Sequence, residues 1–187
     1  GGIQNVHALT GVVELQHRGG NGDTALLLDI IQSETACLAE LLPLTEPAVW
    51  MLPEDSVKAL GSLGEIDIYE AKGRLPQSVF GTIHFGGVCP QNTHTENQAQ
   101  LPDGQGIDQF HIYELIWEPD SISWLIDGVP YAKVNQWDSI DQRIKYPAPF
   151  DQPFYLLVNL AIGGSFDLES AQNITPQFPA IFEIDYI

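Results

Sequence analysis

Basic side chains are scarce in this chain. Seven lysines and arginines stand against 25 aspartates and glutamates, leaving a formal net charge of −18 over 187 residues. A phosphate backbone would be repelled, which excludes nucleic acid as a natural partner. An anionic membrane surface is disfavoured for the same reason. There are only two cysteines, Cys37 and Cys89. They can form one disulfide or remain two buried thiols, and neither lies in a metal-ligand spacing. No apolar run reaches the ~18 residues of a membrane span. No segment reads as a secretory signal, so the chain is expected to be a mature or trimmed product. Internal repeats, linkers, low-complexity tracts, Gly-rich phosphate loops and nucleophile motifs of the Ser/His/Asp kind are all missing.

What is present suits one domain, 1–187, with a real core. Hydrophobic residues make up 44%, and 17 glycines and 13 prolines fit many short strands joined by turns. The most informative stretch is Gly64-Glu65-Ile66-Asp67-Ile68-Tyr69-Glu70-Ala71-Lys72-Gly73. Three carboxylates fall within six residues, separated by residues that favour a strand. On a regular strand Glu65 and Asp67 share one face and Ile66 and Ile68 the other. Glu70 has the wrong parity. One extra residue, a β-bulge near Ile68 and Tyr69, restores it and lines all three acids on one surface. A solvated structural strand gains nothing from like charges on one face. Glycoside hydrolysis needs such a pair, one carboxylate to attack the anomeric carbon and one protonated group to release the leaving oxygen. The alternative is an exposed acidic strand in a very acidic protein.

Elsewhere the pattern predicts two strands over residues 3–18 with a turn near Gly11. The run 25–31 is ambiguous between strand and helix. Residues 34–44 look helical by propensity. Pro53–Leu63 is predicted to be a loop, Val79–Phe85 a strand, and the polar stretch Cys89–Gly106 a substrate-facing loop. Phe110–Trp117 and Ser121–Ile126 read as a hairpin, and Asp127-Gly128 as a tight turn into Val129–Val134. Trp117 and Trp124 are predicted to be core residues. Trp137 sits in a polar stretch and is a sugar-binding candidate. Phe154–Ile162 is long and apolar enough for a central strand buried on both faces, interrupted by Asn159, whose amide must find partners. Gly163-Gly164 allows an unusual turn, and Phe182–Ile187 closes the chain as a strand. His84 and His94 have no companion ligands at metal spacing.

The segment Glu65–Glu70 resembles the catalytic signature of glycoside hydrolase family 16, in the bulged branch that contains laminarinases, agarases and carrageenases. Further stretches match laminarinases in order: Pro47–Asp55, Gly81–Gly87, Phe110–Tyr113, Ile122–Gly128, Phe154–Gly164 and Ile184–Tyr186. The likeness runs from about Pro47 to Ile187. It implies an all-β fold, a jelly-roll sandwich of two curved antiparallel sheets (concanavalin A-like), with an open substrate groove on the concave face. It implies a strand, not a helix, over 34–44. It implies retaining endo-hydrolysis of β-1,3-glucan, with Glu65 as nucleophile, Glu70 as acid and then base, and Asp67 supporting Glu65. A retaining pair stands at roughly 5–5.5 Å. Trp50 and His84 take substrate-binding positions, with Trp137 and Asn159 as further candidates.

No cofactor is needed for the chemistry. A structural calcium ion is implied, with Asp185 as a ligand. The expected partner is a neutral β-glucan, since the chain's charge counts against a sulfated polymer, and the protein is expected to be secreted and monomeric. The alternatives are a non-catalytic β-glucan-binding protein of the same fold, or a family member acting on mixed-linkage glucan or an agar-type galactan. The chain departs from the family at Ala39, Leu41 and Glu46. Basic residues are usual before the proline of that strand, and a tryptophan at the Glu46 position.

Overall fold

The computed structural model describes residues 11–13, 24–31, 45–54, 64–87, 90–139, 141, 143, 145–163, 166 and 180–187. Eleven strands occur among them: β1 (Gly11–Val13), β2 (Thr24–Ile31), β3 (Thr45–Pro53), β4 (Glu65–Ala71), β5 (Ser78–Phe85), β6 (Thr93–Gln100), β7 (His111–Glu118), β8 (Ser121–Ile126), β9 (Val129–Val134), β10 (Phe154–Ile162) and β11 (Glu183–Tyr186). The described residues contain no helix. None is therefore long and apolar enough to cross a membrane.

The strands form two sheets. One has six strands in the order β1-β10-β3-β4-β5-β6, the other five in the order β11-β2-β7-β8-β9. Each pairing is antiparallel. Alternation along β3 shows how the first sheet is sided. Val49 and Met51 are buried, whereas Glu46, Ala48 and Trp50 on the other face are half-buried. The buried face packs on the five-stranded sheet. Ile66, Ile68 and Tyr69 of β4 join Tyr113 and Leu115 of β7 and Ile122 and Trp124 of β8 in one apolar cluster. The Tyr69 and Tyr113 rings meet across the sandwich at 4.4 Å between centroids. Trp117 meets Phe154 edge-on at 5.2 Å, so Trp124 lies in the core and Trp117, half-buried, packs against it.

The expected bulge is present. Against β3, Val49 pairs with Tyr69 and the next residue, Trp50, pairs with Asp67, so Ile68 is surplus. Against β5, Asp67 faces Thr82 and Glu70 faces Phe80, which leaves Ile68 and Tyr69 opposite Gly81 alone. Both surplus side chains are buried, at 2% and 1% exposure. Hydrophobic burial of two successive residues on the same face accounts for the break in alternation.

Other expectations meet the structure unevenly. Residues 24–31 are a strand, which decides the ambiguous run. Residues 32–44, with Cys37, and likewise Cys89 and Gly164, lie outside the described residues. Gly11 begins β1 and is not in a turn. The polar stretch expected to be a loop contains β6, paired along its length with β5. Its composition misleads because it is an edge strand, exposed or half-exposed at each residue. Strand β10 is not buried on both faces, since from Val158 to Ile162 it is only half-buried. The tight turn appears as read, with Asp127 and Gly128 both at positive φ (51° and 76°), the pattern that matches strand twist in a two-residue hairpin.

The contribution of the β4 core can be measured by urea unfolding. Ile66→Ala should cost about 2–5 kcal/mol, because Ile66 is wholly enclosed. Val129→Ala, at an exposed position, should stay within about 0.5 kcal/mol of the parent.

Candidate active site

The outward face of the six-stranded sheet carries a cleft. It is lined by Glu46, Pro47, Ala48 and Trp50 of β3, Glu65, Asp67 and Glu70 of β4, Asn159 and Ala161 of β10, and Phe166. The bulge thus does what parity requires, since the three acids of β4 open into one space. Ala48 stands directly opposite Glu70 in the ladder. Its small side chain leaves room above that carboxyl.

Asp67 is nearly enclosed, at 2% exposure. Its carboxyl is held well above the usual carboxylate range, first by burial and then by the negative charge of Glu65. Glu65 is more open, with its side chain 34% exposed. Glu70 is pushed up to about 8, chiefly by burial, then by the charge of Asp67, against a smaller lowering by His84 and further raising by Glu65 and Glu96. An acid held protonated near neutrality therefore stands on the same face as a solvent-accessible carboxylate two residues before Asp67. That is the division of labour that general acid catalysis with a separate nucleophile requires.

His84 is paired with Glu65 across β4 and β5. Its Nε2 lies 3.3 Å from Asp67 Oδ2 and 3.6 Å from Glu65 Oε1. The His84 ring also packs against His94 at 5.4 Å between centroids. The polar edge of His84 is thus turned to the carboxylates. Trp50 and Asn159 also come together in the cleft, where Trp50 Nε1 donates to Asn159 Oδ1 at 2.7 Å. The amide that interrupts the apolar strand has thereby found its partner, and the indole is fixed in the cleft wall.

Trp137 does not join them. It is buried at 7% exposure, its Nε1 donates to the Pro147 carbonyl at 2.8 Å, and it packs edge-on against Phe150 at 5.1 Å. The polar stretch around it folds the ring inward, onto the chain segment that carries Pro147 and Phe150, so Trp137 is a core residue and not a sugar platform. Asp185 stands exposed on β11. Among the described residues, the group of His, Cys, Asp and Glu side chains close enough to share an ion is Glu65, Asp67 and His84. Asp185 is not part of that group.

The cleft also holds residues that the sequence pattern does not mark. Glu46, where the chain departs from the family pattern, has the parity of Trp50 on β3 and lines the cleft. Phe166 also lines it. Lys72 sits between two rings, with Nζ 3.8 Å from the Phe166 centroid and 4.6 Å from that of Phe80. Nothing local in the sequence marks the Phe166 contact, which joins residues far apart in the chain.

The fold and the site together define a jelly-roll protein with a carboxylate cleft of glycoside hydrolase type. The family model for glycosyl hydrolases family 16 matches residues 45–184, and the chain belongs to that family. It is 46% identical over 145 residues to glucan endo-1,3-beta-glucosidase A1 of Niallia circulans, covering 75% of this chain and 21% of that protein. It is 38% identical over 127 residues to a glucan endo-1,3-beta-glucosidase of Cryptopygus antarcticus, covering 64% and 46%. The X-ray structure of the endo-beta-1,3-glucanase from Pyrococcus furiosus superposes with a TM-score of 0.63 at 28% identity, covering 89% of this chain and 61% of that one. The chain thus spans less than half the length of these two sequence relatives.

The buried acid ties stability to pH. In the unfolded chain Glu70 loses its proton near 4.5, whereas in the fold it keeps it to about 8. Between these values the native state binds more protons, so stability should fall as pH rises, by up to about 1.4 kcal/mol per unit. Asp67 acts in the same direction. Glu70→Gln should flatten part of this decline and be relatively more stable than the parent at pH 8.5 than at pH 5. An unfolding free-energy difference between parent and Glu70→Gln that is the same at both pH values would show that Glu70 titrates normally.

Proposed function

We propose that this chain is the catalytic domain of an endo-acting β-1,3-glucanase that works with retention of configuration. The observation that carries the reading is the bulge in β4, which sets Glu65, Asp67 and a protonated Glu70 on one cleft face. The names of the two sequence relatives and of the superposed structure supply the linkage.

In the first step Glu65 attacks the anomeric carbon, the glycosidic C–O bond breaks, and Glu70 gives its proton to the departing oxygen. Asp67, which shares a hydrogen bond with Glu65, steadies it between attack and release. In the second step Glu70, now a carboxylate, takes a proton from water. The resulting hydroxide displaces Glu65 and both residues return to their starting states. His84 holds the polar edge beside Asp67, and Trp50 offers a flat apolar face to a pyranose ring. A neutral glucan suits a chain of net charge −18. A polymer of this kind is met outside the cell, so the protein is read as secreted, acting as a monomer. A structural calcium ion would take Asp185 as one of its ligands and would have no part in the chemistry.

Incubation with laminarin, lichenan and agarose, followed by reducing-end assay, tests the activity. Laminarin should be cut internally, giving mixed oligosaccharides early, and proton NMR should show the β-anomer first. Binding without cleavage would favour the lectin-like alternative, and a first-formed α-anomer would remove Glu65 as nucleophile. Glu65→Ala should lose at least about 10³-fold in kcat, and added azide should restore turnover with an inverted product.

Chelation tests the ion separately. EDTA should lower Tm while leaving turnover by the folded protein nearly unchanged, since a ligand of the native state alone stabilises that state. An unchanged Tm in EDTA and in added calcium would strike Asp185 from the reading.

A further inference from the structure

We infer that Trp124, a core residue of the opposite sheet, is a positioning residue for the catalytic carboxylates, holding the bulged backbone of β4 through the carbonyl of Asp67. The inference rests on the reading of Glu65, Asp67 and Glu70 given above.

Trp124 belongs to β8, in the five-stranded sheet. It is buried at 1% exposure. Its indole crosses the interior of the sandwich, and Nε1 donates to the Asp67 carbonyl at 2.9 Å. This joins residues 57 apart in sequence through a buried hydrogen bond. The acceptor stands where the ladder breaks, because Asp67 is the last regular pair with Thr82 before two residues crowd against Gly81. A bulge leaves its extra residue unpaired and disrupts the ladder around it. A buried carbonyl without a donor is costly. The indole N–H supplies a donor that no neighbouring strand needs to give.

The residue opposite the bulge completes the device. A Cβ on Gly81 would lie 2.5 Å from Trp124 Cδ1, 2.6 Å from Nε1 and 2.5 Å from the Tyr131 hydroxyl. The space a side chain would take is filled by the donor ring and by Tyr131, so Gly81 admits the indole to the backbone. Bulge, glycine and tryptophan thus interlock around one carbonyl. The Asp67 carboxyl springs from the same residue, with Glu65 two positions before it and Glu70 three after. Trp124 lies on the core side of the sheet, away from the cleft, so it acts through β4 and not on the sugar. A displacement of about 1 Å at reacting groups can cost about 10²-fold in rate, which is the scale on which a loosened bulge should be felt.

Trp124→Phe keeps an aromatic ring in the core and deletes the donor. Installing benzothienylalanine at position 124 replaces N–H by sulfur with less change of shape, and serves should the phenylalanine variant fail to fold. With laminarin, kcat should fall about 10–100-fold while KM changes less than about 3-fold. The alkaline limb of kcat/KM should also move, because the carboxylates change their spacing. In parallel, the Glu70 carboxyl should be titrated by carbon NMR in the parent and in the variant, with Glu70→Gln identifying the resonance. That midpoint should differ between parent and variant, and it needs no turnover. If the parent cleaves no laminarin, the functional reading fails while the NMR comparison still decides the positioning role. A folded variant with parental kcat, parental alkaline limb and parental Glu70 midpoint would overturn the proposal.

Discussion

Strand β4 carries one more residue than its neighbours can pair, and the placement of that surplus governs the rest of the site. Ile68 and Tyr69 are both drawn into the core, where Tyr69 meets Tyr113 of the facing sheet. Burying two consecutive side chains on one face shifts the parity of everything after them. Glu70 is thereby turned outward to the face of Glu65 and Asp67. The apolar interior thus sets the geometry of the polar cleft, with backbone hydrogen bonding as the intermediary. The Trp124 bond to the Asp67 carbonyl lies on that same path from core to cleft.

The second consequence is electrostatic. Three carboxylates on one strand repel in proportion to their charge, and partial burial makes each charge dearer still. The site relieves this by keeping protons. Asp67 and Glu70 are both raised, each first by burial. His84 is the nearby group that works against the rise at Glu70. Lys72, the residue after β4, is engaged by the Phe80 and Phe166 rings. An acid that stays protonated near neutral pH is therefore a product of where the sheet places it, and the same placement makes folding sensitive to rising pH.

Local pattern was informative where one residue's neighbours in sequence are also its neighbours in space. The spacing of Glu65, Asp67 and Glu70 against Ile66, Ile68 and Tyr69 was enough to require a bulge, and it is there. Asp127-Gly128 was enough for the hairpin. Local pattern misled at Trp137, because polarity of the flanking chain says nothing about which way the segment folds. It misled over β6, because an edge strand with a polar, exposed surface has the composition of a loop. It misled over β10, where apolar residues that looked doubly buried include the wall of the cleft.

The sequence by itself determined the acidic character, the strand-and-turn grammar, and the parity argument that gathers three acids. Those follow from charge, propensity and the two-residue period of a strand, each a local property. Tertiary structure alone decided the rest. It showed that Asp67 is buried and Glu65 open, that Trp50 is fixed by Asn159, that His84 turns its Nε2 towards Asp67, and that an indole from the opposite sheet reaches the bulge through the gap left by Gly81. Each of these depends on contacts between strands distant in the chain. Desolvation and hydrogen bonding act over a few ångströms of space, whatever the separation in sequence.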